Sequence, residues 1–299
     1  MRAPFRSATV RHQFDRGAHR FTAASAIVRE VGLRLLERLD TIRHEARVVL
    51  DLGCGPGAQR QALLERFRHA TWIGVDLSRA MLAQAAVRGA PWTRWLPRAL
   101  RPHARALRVC ANADRLPLAD ATADCAFSNL MLNWHPAPHR VFPEVARVLR
   151  DGGLLLFSSL GPDTLRELRE ACAVALPRAR PMPFVDMHDL GDMMLAAGFS
   201  SPVTDTDTIR LTYGSARQLL AEVRALGANP RDDRDAGLPS GRQARALLAE
   251  LEARRDSDGR IGLTFEISYG LGWKAPPRAP ASDTSAISLE ALRSQLRRR

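Results

Sequence analysis

The chain has 299 residues, 45% hydrophobic and 25% charged, values that suit one large domain with additions and exclude a disordered or fibrous protein. Its formal charge of +12 arises from 44 basic against 32 acidic residues. Every basic residue except Lys274 is arginine, a compositional bias that weakens an argument from net charge to a dedicated acidic partner.

Residues 1–21, MRAPFRSATVRHQFDRGAHRF, lack the apolar core of a secretory signal. No apolar run reaches the length of a membrane span, so a cytoplasmic protein without a transmembrane helix is expected. Residues 1–45 are expected to form a helical lid, with Ile27, Val31, Leu35 and Leu39 marking an amphipathic helix over 21–40. Strand-like RVVLDLG then precedes helix-like GAQRQALLERF, and TWIGVDLS precedes RAMLAQAAVR. Residues 89–106 interpose a basic insertion carrying Trp92, Trp95, Arg94, Arg98, Arg101 and Arg105. Beyond it come the strand LRVCANA, the strand ADCAFSNLML, a helix over APHRVFPEVARVLR, the strand GGLLLFSSL and a helix over DTLRELREACAVA. Continuous apolar strands alternating with amphipathic helices predict a doubly wound, mainly parallel α/β sheet.

Residues 177–256 read as helical additions on the substrate side, broken by a strand VTDTDTIRLTY and a polar loop at 228–240. The last strand, IGLTFEISYGLGWK, is expected to close the sheet edge. The domain expected over 46–274 is followed by a flexible tail over 275–299. Cys54, Cys110, Cys125 and Cys172 show neither CxxC spacing nor a companion histidine cluster, so no metal site is expected. Three of these four lie in apolar, strand-like contexts and are expected to be buried thiols.

The chemistry concentrates in VVLDLGCGPGAQR, residues 48–60. A dinucleotide loop spaces its glycines G-x-G-x-x-G and receives a pyrophosphate. Here Gly53, Gly55 and Gly57 follow G-x-G-x-G, and Asp51 precedes them. A carboxylate there repels a diphosphate and suits a cationic amino group. The second strand ends at Asp76, where an acid can accept both ribose hydroxyls. Met81, one helical turn on, can pack on a purine face, and Asp114 after the third strand can accept from an exocyclic amine. These features in strand order point to a nucleoside carrying a cationic amino acid, which describes S-adenosylmethionine.

VLDLGCGPG, GVDLS, NADRLPL, SNLMLNW and VARVLRDGGLLLFSS resemble the successive motifs of class I SAM-dependent methyltransferases. That resemblance implies a Rossmann-like sheet of seven strands with an antiparallel last hairpin and helical caps. It also implies cofactor contacts from Cys54, Leu77, Arg115, Leu116, Asn129 and Leu130 beside the residues already named. Further, FDRGAHRFTAASAIVRE, SNLMLNWHPAP, GPDTLRELREA, FVDMHDLGDMMLAAGF and LTFEISYGLGWKA look like the BioC family, malonyl-acyl-carrier-protein O-methyltransferases of biotin synthesis. The C-terminal half is also similar to a mitochondrial complex I assembly factor of this fold, regarded as a SAM-dependent arginine hydroxylase. The motifs DTLRELR, DTDTIRLTY and GWK are common to both groups and do not discriminate between them.

The BioC resemblance implies methyl transfer to the free carboxylate of a malonyl thioester on an acidic acyl carrier protein. A carboxylate is already ionised at neutral pH and needs no general base. Positioning carries the rate, with candidates in Phe21, where the family typically has tyrosine, and in Arg29, Trp134 and His135. An arginine is expected to clamp the substrate carboxylate, and the basic insertion is a candidate face for the carrier. An RNA or protein methyltransferase is the third reading. The chain has no distinct RNA-binding module or NPPY-type loop, so a nucleic-acid partner is not expected.

Overall fold

The computed structural model describes residues 5–24, 26–85, 106–227, 229–232 and 240–276. The basic insertion and the tail beyond Pro276 thus lie outside the described residues, apart from Ala106, which begins a strand.

Two helices precede the sheet, α1 (Ser7–Ala24) and α2 (Ala26–Asp40). The sheet is built from β1 (Val48–Leu52), β2 (Thr71–Asp76), β3 (Ala106–Cys110), β4 (Ala123–Ser128), β5 (Leu149–Leu160), β6 (Phe199–Tyr213) and β7 (Ile261–Lys274). Between them run α3 (Arg60–Arg66), α4 (Arg79–Gln84), α5 (Val141–Val148), α6 (Arg166–Ala175), α7 (Met187–Ala196), α8 (Ala216–Leu226) and α9 (Gly241–Glu252). Strand order is β3-β2-β1-β4-β5-β7-β6. The first five pair in parallel, and β7 runs antiparallel to both β5 and β6. This is the Rossmann-like methyltransferase sheet of seven strands expected from the sequence.

The expectation that the last strand closes the sheet edge is wrong. β7 inserts between β5 and β6, pairing Leu154 with Trp273 on one side and Tyr213 with Ile261 on the other. Burial explains the placement. Most residues of β7 are buried and none is exposed, as a strand with neighbours on both sides and layers on both faces requires. β6 carries the exposed polar positions and becomes the edge.

Two apolar layers sandwich the sheet. On one face Ile27, Val31, Leu35 and Leu39 of α2 and Leu63 of α3 pack with Val49, Phe127 and Leu156. On the other, Phe142 and Val145 of α5 and Leu190 and Met194 of α7 pack with Leu50, Ile73 and Phe157. Each fully buried Leu or Ile side chain contributes about 1.5–3 kcal/mol. Cys54 and Cys125 are buried as expected. Cys110 is exposed instead, because β3 is the outer strand and pairs on one side only.

α1 carries few large apolar residues, yet Val10 and Ala18 are buried. Polar bonds at separate places anchor it. Arg6 Nε donates to Asp232 at 3.0 Å and Thr9 Oγ1 to the same carboxylate at 3.3 Å. Asp15 accepts from Ser78 Oγ at 2.6 Å and from the Ala80 N–H at 3.3 Å, at the start of α4.

Candidate functional site

The carboxyl ends of β1, β2, β3 and β4 open onto a cleft, lined from the other direction by residues of α1 and α2. Its floor is the loop after β1. The N–H groups of Gly53 and Cys54 both donate to the Val75 carbonyl, at 2.8 and 3.1 Å, which folds the chain across the end of β2. Gly53 and Gly55 hold φ of 67° and 53°, the left-handed region that other residues avoid. A Cβ on Gly55 would meet nothing closer than the Phe21 ring, 4.0 Å away, so backbone there is open to the cleft.

Asp76 stands at the centre of this wall. Its Oδ2 accepts the Gly55 N–H at 2.9 Å and its Oδ1 accepts the Ser78 N–H at 2.7 Å. Each oxygen keeps a lone pair. Desolvation raises its pKa, opposed by those backbone donors, while Asp15 pushes it further up. Leu77 and Met81 extend the wall, followed by Ala111, Asn112 and Ala113 beyond β3. Cys54 also lines the cleft, its thiol held well above its ordinary range by burial and then by Asp51 and Asp76.

The opposite side is aromatic and apolar, from Phe14 and Phe21 of α1, Ile27 of α2, Trp134, Leu226 and Phe265. Phe14 meets Phe21 and Trp134 edge to face, with centroids 6.0 and 5.2 Å apart. Trp134 Nε1 donates to the Asn133 side-chain oxygen at 3.0 Å once that amide is oriented to satisfy both partners. Asn129 and Leu130 reach the cleft as well. The Asn129 amide is already engaged, donating to the Val28 carbonyl and accepting from Ser158 Oγ, both at 2.8 Å. It therefore ties β4 to α2. Arg29 is the single cation among the described lining residues, and it is exposed and has no protein partner among them.

Five residues singled out in the sequence lie off the cleft wall: Asp51, Gly57, Asp114, Arg115 and Leu116. Asp51 is only 2% exposed and sits behind the loop, accepting from Trp72 Nε1 at 3.1 Å. Gly74 leaves the room for that indole, since a Cβ there would fall 2.0 Å from it. Burial pushes the Asp51 carboxyl up to about 7. Asp114 faces Arg140 at 3.6 Å and His135 Nε2 at 3.8 Å. The Leu116 N–H is taken by Glu144 at 2.6 Å.

Residues 50–157 match the family model described as a methyltransferase domain. A malonyl-acyl-carrier-protein O-methyltransferase from Methylovorus sp. is 39% identical over 280 residues, covering 92% of each chain. One from Halorhodospira halophila is 40% identical over 298 residues, covering 97% of this chain and 96% of its own. The chain belongs to the malonyl-acyl-carrier-protein O-methyltransferase family. The fold is shared more widely: the YcgJ protein of Bacillus subtilis superposes with a TM-score of 0.53 at 17% identity, over 82% of this chain and 99% of that one.

For this O-methyltransferase, the sequence reading passed over Phe14, Gln59, Asn112 and Asn133, all of which line the cleft. Asn112 lies two residues before Asp114, at the same strand end. The carboxylate drew the reading away from an amide that reaches the cavity. Among the described residues no three His, Cys, Asp or Glu side chains converge on a metal-sized site, and no helix is long and apolar enough to cross a membrane.

Proposed function

We propose that the protein transfers the methyl group of S-adenosylmethionine to the free carboxylate of a malonyl thioester on acyl carrier protein, giving the methyl ester that primes pimeloyl and biotin synthesis. The observation that carries this reading is the 40% identity to a malonyl-acyl-carrier-protein O-methyltransferase over nearly both full chains. The cleft fits the cofactor in three respects: backbone open at Gly55, an acid with spare lone pairs at Asp76, and an aromatic wall facing them. An aromatic wall suits a cationic sulfonium. The candidate cofactor contacts are Gly53, Cys54, Gly55, Asp76, Leu77, Met81, Asn129 and Leu130, with Asn112 added and Asp114 relegated to a supporting position.

When bound, the cofactor supplies a methyl carbon on a positively charged sulfur. A substrate carboxylate held in line with that carbon would take the methyl group as the C–S pair returned to sulfur. No proton moves, so the chain needs only to bind, orient and exclude water. Alignment of this kind supplies about 7–11 kcal/mol. Phe14, Phe21 and Trp134 line the cleft and would keep water from the reacting side, and Arg29, the cation on the same lining, is the candidate to hold the substrate carboxylate. His135 has no base role to fill: its Nδ1 accepts the Ala137 N–H at 3.1 Å and its Nε2 faces Asn112 at 3.2 Å.

Methyl-labelled S-adenosylmethionine incubated with purified protein and malonyl carrier should give a labelled, base-labile ester. Succinyl carrier should stay unlabelled. Label appearing in protein arginine instead would overturn the assignment.

A further inference from the structure

His135 is 7% exposed, and both of its ring nitrogens are committed. The Ala137 N–H donates to Nδ1 at 3.1 Å, so Nδ1 carries no proton. The neutral ring then bears its hydrogen on Nε2, 3.2 Å from Asn112 Oδ1. Burial lowers the imidazole pKa and favours the neutral form. The contact is therefore Nε2–H donating to Oδ1, which fixes the amide: the oxygen faces the histidine, and Nδ2 has no protein partner among the described residues. Asp114 and Arg140 close the cluster behind.

Asn112 lines the cleft on the β3 side of Asp76 and Met81. A nucleoside whose ribose rests on Asp76 extends its base toward that side. A carboxamide held one way offers one donor and one remaining acceptor lone pair, which complements the N1 acceptor and 6-amino donor of adenine. A 6-oxo purine presents the reverse pattern, with a donor at N1 and an acceptor at position 6. A freely turning amide could serve either base; a locked one serves one. We propose that His135 is a positioning residue that locks the Asn112 amide so that the cleft accepts a 6-amino purine and rejects a 6-oxo purine. The proposal rests on the reading that an adenosyl ligand fills this cleft.

The test is calorimetric binding of S-adenosylhomocysteine and S-inosylhomocysteine to the full-length protein and three variants. Wild type should prefer the adenosyl ligand. His135→Phe, which removes the Nε2–H, should cut that preference roughly tenfold, the scale of one misplaced buried hydrogen bond. His135→Gln, which restores a donor, should keep the preference. Asn112→Ala removes the reader and should abolish discrimination whether or not the phenylalanine variant folds. Equal loss of both ligands in His135→Phe, identical ratios in the Phe and Gln variants, or an unchanged ratio in Asn112→Ala would overturn the lock. Failure of wild type to bind S-adenosylhomocysteine at all would instead remove the cofactor reading beneath it.

Discussion

Replacing Asp51 by asparagine should flatten part of the protein's pH-dependent stability. Asp51 is 2% exposed, accepts one hydrogen bond from Trp72 Nε1, and has no cationic partner among the described residues. Desolvation is the main cause of its rise to about 7; the Trp72 bond works against it, and Asp76 adds to it. In the unfolded chain the same carboxyl titrates near 3.8. Between those values the unfolded state has released its proton and the folded state still holds it. Rising pH therefore favours unfolding, by about 1.4 kcal/mol per unit, and the effect levels off above 7. From pH 5 to pH 7 the loss is about 2 kcal/mol, since the slope is already easing as pH nears 7. Asparagine keeps an acceptor for the indole and does not titrate. Urea unfolding of ligand-free wild type and Asp51→Asn at pH 5, 6, 7 and 8 should show the variant gaining on wild type by that amount up to pH 7, then running parallel. A stability difference that stays constant over pH 5–7, or that moves in favour of wild type, would refute the burial argument.

Asp76→Ala should weaken S-adenosylmethionine binding at least a hundredfold by calorimetry while leaving the far-UV circular dichroism unchanged; retained affinity would remove Asp76 from the site. Arg29→Ala should raise KM for malonyl carrier about tenfold or more and leave cofactor affinity alone, since the role proposed for the guanidinium is to hold substrate. Weakened cofactor binding in that variant would show the guanidinium gripping the methionine carboxylate instead.

The parallel half of the fold was legible because its strands are buried on both faces and read as apolar runs, as in Val48–Leu50 and Leu154–Phe157. The position of β7 was not, because strand order depends on which surface the neighbours cover and chain order carries no record of that. Within the helical segment expected over 1–45, the bounds of α1 escaped for a related reason: its sequence has no dense apolar stripe, and it is held through Asp15 and the preceding Arg6 by partners 63 and 226 residues away. At the site, the place of Asp76 on the cleft was readable because it follows from a strand end. Asp51 and Asp114 were read as ligand contacts because acids beside glycines suggest binding, yet Asp51 turns inward to Trp72 and Asp114 backs Asn112 through His135. A sequence shows that a carboxylate is near a turn; which way it points is a matter of packing.

The lining of the cleft is drawn from two stretches of chain. Gly53, Asp76, Asn112 and Trp134 fall inside residues 50–157, the span shared with methyltransferase domains at large, whereas Phe14, Phe21, Arg29, Leu226 and Phe265 fall outside it. The cleft is thus closed only where the flanking helices meet that shared span, as Phe14 does against Trp134 and Val28 against Asn129. A segment exchanged between relatives would have to carry Asp15 and Val28 with it, because these hold the start of α4 and the Asn129 amide in place.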